Sequence, residues 1–141
     1  IIRAAAKIQS HTTSNPCTIS QYAAIEALRE DDGSLEKMRL AFDERRKFII
    51  DELNKIEGVF CPEPKGAFYA FADVNGILQK NVKNIKTAME LCNYLLENKY
   101  LVIVPGEVFG AAGYVRFSYA TSMENISEGI NRFRDGLQEI L

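Results

Sequence analysis

The chain has 141 residues, 47% of them hydrophobic and 26% charged, which suits one globular domain with a real core and argues against disorder. Lysine and arginine total 17 against 19 acidic residues, a net charge of -2, so nothing in the charge balance points to nucleic acid or an anionic membrane as a partner. No apolar run reaches the length of a membrane span, and Cys17, Cys61 and Cys92 have neither metal-ligand nor Cys-x-x-Cys spacing, which predicts reduced thiols in the cytoplasm.

The chain begins at Ile1 without an initiator methionine, and no targeting segment is visible, so a segment of a longer protein is expected. Residues 2–8 are Ala-rich and predict a short helix. Ser10–Cys17 is turn chemistry, with Pro16 biasing Asn15 away from helix. Thr18 and Gln21 have the spacing of a capping box, opening a helix to about Glu30 that ends at Asp31-Asp32-Gly33. Ser34 can cap the next helix. Leu35, Met38, Phe42, Ile49, Leu53 and Ile56 fall near a 3.6-residue period along it, and Gly58 stops it after Glu57.

Gly66–Val74 reads as a mostly apolar strand, Asn75-Gly76 as a turn, and Gln79–Lys86 as an exposed connection. A second box, Thr87 with Glu90, opens a helix through Glu97. Leu101–Val104 is a short buried strand before a Pro-Gly turn, and Glu107–Gly113 a Gly-rich loop. Tyr114–Tyr119 is a third strand. Thr121 with Glu124 then opens a closing helix whose apolar stripe is Ile126, Ile130, Phe133 and Leu137. Helices interleaved with three strands predict an α/β (α+β) fold, a small three-stranded sheet flanked by helices.

Little in this pattern carries chemistry. The Gly-rich loop lacks a P-loop signature and does not open a helix. Lys65, beside the first strand, reads as an exposed loop lysine, His11 as a loop residue, and Arg45-Arg46-Lys47 as a solvated helix face. Arg116 stands apart, because a guanidinium in mid-strand keeps its charge and needs a partner. Two readings stay open: a salt bridge to a local acid, or a bidentate clamp on a ligand carboxylate.

Five stretches in order, TTSNPCTISQYAAIEAL, MRLAFDERRKFIIDELN, PKGAFYAFADV, LVIVPGEVFG and YVRFSYATSMENISEGINRF, resemble the C-terminal part of a class I aminotransferase. These are fold type I enzymes that use pyridoxal 5′-phosphate, and the bacterial aspartate aminotransferases are the most similar. The resemblance spans essentially the whole chain. It implies that Arg116 binds the substrate α-carboxylate, and that Ser14 and Asn15 lie near the active site of the neighbouring subunit of a homodimer. It places the cofactor-binding lysine before the Ser-Asn-Pro motif, outside this chain, so no catalytic residue and no metal ligand is expected here.

By the same resemblance, residues 1–33 would be a strip of the large cofactor-binding domain and 34–141 the small C-terminal domain, joined by the long helix. The intact parent would transfer an amino group between aspartate and 2-oxoglutarate, with the fragment alone inactive. The alternatives are an aminotransferase for alanine or aromatic amino acids, or an autonomous, non-catalytic carboxylate-binding module. Residues 1–30 would expose an apolar face.

Overall fold

The structure, a computed structural model, describes residues 1–29 and 32–141 and divides into two compact units, Ile1–Met38 and Arg39–Leu141. In the first unit, α1 spans Ile2–Thr12 and α2 spans Thr18–Arg29. The alanines carry α1 four residues past the expected end, so His11 sits in its last turn rather than in a loop. The chain then turns at Ser14, whose φ is 58°, with the Thr13 and Ser14 N–H groups both donating to the Gln9 carbonyl at 3.0 and 2.9 Å. The Thr18–Gln21 box is replaced by a different closure. The Gln21 side-chain amide donates to the Pro16 carbonyl at 2.7 Å, and its N–H to the Cys17 carbonyl at 3.1 Å. No residue of α1 or α2 is buried, and Ile2, Ile8, Ile19, Tyr22 and Leu28 are all exposed. The expected helix end at Glu30 and Asp31 lies outside the described residues.

The next helix, α3 (Ser34–Asn54), stops three residues before Glu57. Asn54 explains the early stop. Its side-chain amide donates to the Cys61 carbonyl at 2.9 Å, and its carbonyl accepts the Cys61 N–H at 2.8 Å, so the chain is drawn off the helix axis. Along this helix Ile49 and Leu53 are buried, whereas Leu35 and Met38, on the same expected stripe, are exposed.

In the second unit, β1 (Tyr69–Asp73) leads into a short helix α4 (Asn75–Leu78) rather than a simple turn. Asp73 Oδ1 accepts the Asn75 N–H at 2.8 Å, and Ile77 and Leu78 are buried. The following connection includes a 3-10 turn, Val82–Asn84, and delivers Ile85 to the core instead of lying wholly exposed. Helix α5 (Ala88–Lys99) carries the expected capping box between Thr87 and Glu90. Strand β2 is only Val104–Pro105, followed by a 3-10 turn, Gly106–Phe109. The expected longer strand fails because the Leu101 N–H turns back to the Leu95 carbonyl at 3.2 Å and Pro105 has no N–H to give. Strand β3 (Tyr114–Ser118) precedes α6 (Met123–Ile140), capped by Ser122 one residue after the expected Thr121, with the Asn125 N–H donating to Ser122 Oγ at 3.3 Å.

The sheet is antiparallel in the order β1-β3-β2. One face, Ala70, Ala72, Val115 and Phe117, is buried with Leu91 and Leu95 of α5 and Ile130, Phe133 and Leu137 of α6. Phe117 and Phe133 meet edge to face at 5.1 Å. Truncating Phe133 to Ala should therefore cost about 3–5 kcal/mol of unfolding free energy, read from the urea midpoint; a loss under about 1 kcal/mol would contradict this packing.

Cys61 and Cys92 also belong to this core, and burial pushes their thiols up to about 11 and about 12, the nearby Glu107 charge adding to the effect at Cys92. Exposed Cys17 moves the other way, lowered by hydrogen bonds from the backbone N–H of Ser20 and Ile19. In native protein at pH 8 only Cys17 should react promptly with a disulfide reagent, all three cysteines reacting once urea is added. Because both buried pKa values are raised, stability should hold below pH 9 and fall as the pH climbs toward 11. Prompt native reaction of all three thiols would contradict the burial.

Candidate functional site

Arg116 stands in the middle of the central strand, opposite Phe71 of β1 and Val104 of β2. Strand alternation sets its direction. Val115 and Phe117 are committed to the core, so Arg116 falls on the other, half-buried face with Tyr69, Phe71 and Tyr114. Its guanidinium carbon lies 4.4 Å from the Tyr69 ring centre and 4.5 Å from that of Phe109. Phe109 in turn meets Phe71 edge-on at 6.3 Å, and Phe71 stacks on Tyr114 at 5.2 Å, making a continuous aromatic floor.

Among the described residues, Arg116 has no ion pair and no hydrogen bond. The acid on its own face, Asp73, instead accepts from the Asn75 N–H and side-chain amide at 2.8 and 2.9 Å. Among the described residues, then, no acid forms the local salt bridge that was one of the two open readings. A charged guanidinium against aromatic rings gains roughly 0.5–2 kcal/mol from each favourable contact, while its in-plane N–H groups stay available. Those coplanar donors match the two oxygens of a carboxylate.

Ser14 and Asn15 are exposed in the first unit, where the Asn15 side chain donates to the Pro16 carbonyl at 3.0 Å. With Ala6, Gln9 and Ser10 they line a hollow of about 320 Å³. Lys65 is exposed at the rim of a hollow of about 550 Å³ shared with Phe42, Arg46 and Tyr119. Arg46 corrects the expected solvated face. It binds Asp43 at 2.7 Å and also Glu63, tying α3 to the loop before β1. Lys47 first and Arg46 second hold the Asp43 carboxyl down at about 2.

No lysine among the described residues is buried. A Schiff-base lysine needs a dry setting to lose its proton, so the residues here do not fit the anchoring of a carbonyl cofactor. Also among the described residues, no cluster of His, Cys, Asp and Glu could hold a metal, and no helix is long and apolar enough to cross a membrane.

The rings around Arg116 were the part of the site not singled out from sequence. Tyr69 was findable in principle, since period-2 alternation puts it on the face away from Ala70. Phe109 was not, because it arrives from a loop whose course no periodicity fixes.

The sequence profile of the family "Aminotransferase class I and II" matches residues 1–133. The aspartate aminotransferase of Streptomyces avermitilis is 45% identical over 141 residues, which are 99% of this chain and 35% of that protein. A crystal structure of the Rhizobium meliloti aspartate aminotransferase superimposes with a TM-score of 0.90 at 37% identity, covering 99% of this chain and 36% of that one. An aromatic aminotransferase from Pyrococcus horikoshii OT3 does so at 0.83 and 34% identity, over 94% of this chain and 34% of its own. The chain thus spans about a third of the length of the relatives it matches. With the profile running from the first helix through the sheet and into the last helix, the chain belongs to the class I and II aminotransferase family.

Proposed function

We propose that this chain is the C-terminal part of a pyridoxal 5′-phosphate-dependent aminotransferase of the aspartate type, and that Arg116 grips the substrate α-carboxylate. The observation that carries the reading is the state of the guanidinium: two aromatic rings against it and, among the described residues, no acidic partner. A ligand carboxylate supplies the charge that the protein withholds. Holding both oxygens fixes the direction of the substrate Cα–H bond relative to the rest of the site, which is the orientation an α-proton transfer needs.

In this reading residues 1–33 belong to the large domain and 34–141 form the small one, and the protein acts as a cytoplasmic homodimer. Ser14 and Asn15 lie near the neighbouring subunit's active site. The cofactor and its lysine sit in the remainder of the longer protein, and the 141-residue chain alone is inactive. Its substrates are an amino acid and a 2-oxo acid, with aspartate favoured by the names of the Streptomyces and Rhizobium relatives. The similarity to an aromatic aminotransferase supports a second reading, since nothing at Arg116 distinguishes one amino-acid side chain from another.

The test is made on the full-length protein carrying this segment. Its visible absorbance with pyridoxal 5′-phosphate should change on adding aspartate, and Arg116→Ala should require far more aspartate for the same change. Losing a bidentate, charge-assisted contact costs about 2–4 kcal/mol, or roughly 30- to 1000-fold in kcat/KM. Arg116→Lys should recover only part of it, because the charge returns without the fork. Wild-type kcat/KM in Arg116→Ala would overturn the assignment.

A further inference from the structure

We infer that Phe109 and Glu107 are positioning residues for Arg116, which hold its guanidinium so that only the in-plane edge is offered to a carboxylate; this rests on the ligand role given to Arg116 above. Phe109 is 50% exposed and its neighbour Val108 59%, so burial does not fix the ring against the guanidinium. The turn that carries it is instead fastened at two points.

The first is Gly106. Its carbonyl accepts the Ala111 N–H at 2.9 Å, and a Cβ there would come within 2.2 Å of the Ala111 carbonyl oxygen, so only glycine permits so tight a closure. The second is Glu107. Its Oε1 accepts the N–H of Ala88, the first residue of α5, at 3.0 Å, clamping the turn to a helix N-terminus.

Helix capping alone does not account for Glu107. Thr87 and Glu90 already form a complete capping box at that helix end. The other carboxylate oxygen, Oε2, is buried without a hydrogen-bond partner among the described residues. A half-satisfied carboxylate is costly, and such groups persist where something besides stability is being served. What Glu107 secures is the place of the turn, and with it the Phe109 ring 4.5 Å from the guanidinium carbon. With Tyr69 on β1 and Phe109 after β2, rings reach Arg116 from both flanks of β3. A long arginine side chain held in this way loses less freedom when a ligand binds.

The experiment uses the full-length holoenzyme, with KM and kcat for aspartate and the inhibition constant of maleate, a planar dicarboxylate, as readouts. Phe109→Leu keeps apolar volume but removes the ring face. It should raise KM and the maleate constant roughly 3- to 30-fold, the range of a cation–π contact, with the melting temperature held. Phe109→Tyr should restore both. Glu107→Ala should shift the constants in the same direction, Glu107→Gln less, and Glu107→Ala should add nothing in the Phe109→Leu background, because it acts through the ring.

If Arg116→Ala is impaired while Phe109→Leu binds aspartate and maleate normally, the positioning claim is wrong and the carboxylate role stands. Equal effects of Glu107→Ala with and without the ring would overturn the part given to Glu107. If Arg116→Ala is itself unimpaired, the carboxylate role fails and this inference with it.

Discussion

The alternation along β3 is the constraint on which the rest of the second unit depends. Val115 and Phe117 must face the helices for the core to close, and the pleat then leaves Tyr114 and Arg116 no side but the other. A slip of one residue would bury the guanidinium and expose Phe117, so the register that stabilises the fold also aims the arginine. Gly113 helps to fix that register. Its carbonyl accepts the Val74 N–H at 2.9 Å, its φ is 79°, and a Cβ would strike the Asn75 side chain at 2.2 Å. Chain entry into β3 is thereby pinned one residue before the tyrosine and arginine face begins.

The two faces of the sheet differ in what holds their side chains. On the core side, apolar burial and edge-to-face packing dominate, and among the described residues no charged residue is buried as a whole. At the periphery, Arg46, Arg132 and Arg134 each meet a carboxylate, at Asp43, Glu128 and Glu52. Such half-exposed pairs add little individually. Arg116 differs from them in having rings where they have acids. A protein carboxylate there would compete with any ligand carboxylate, so the lack of an ion pair among the described residues is what the proposed role requires.

Much of this was legible beforehand where a single periodicity or cap decides the outcome. The closing helix buries the Ile126, Ile130, Phe133 and Leu137 stripe read from its sequence, and the Thr87–Glu90 box forms as spaced. Reading failed where side chains and backbone compete locally. Asn54 ends α3 early by bonding across to Cys61, Ser122 displaces Thr121 as cap, and Gln21 turns to Pro16 instead of closing a box. At the site, the sequence pointed to Arg116 as an unexplained charge but not to its setting. Among the described residues the acid on its face, Asp73, is bonded to Asn75, and the second ring depends on a loop anchored from another helix.

A crystal structure of the full-length protein with a bound dicarboxylate tests the central claim most directly. The account predicts both oxygens of one carboxylate in the plane of the Arg116 guanidinium, at about 2.7–2.9 Å from its nitrogens, with the Tyr69 and Phe109 rings still against it. A carboxylate bound elsewhere, with Arg116 paired to a protein acid from another part of the chain, would contradict it.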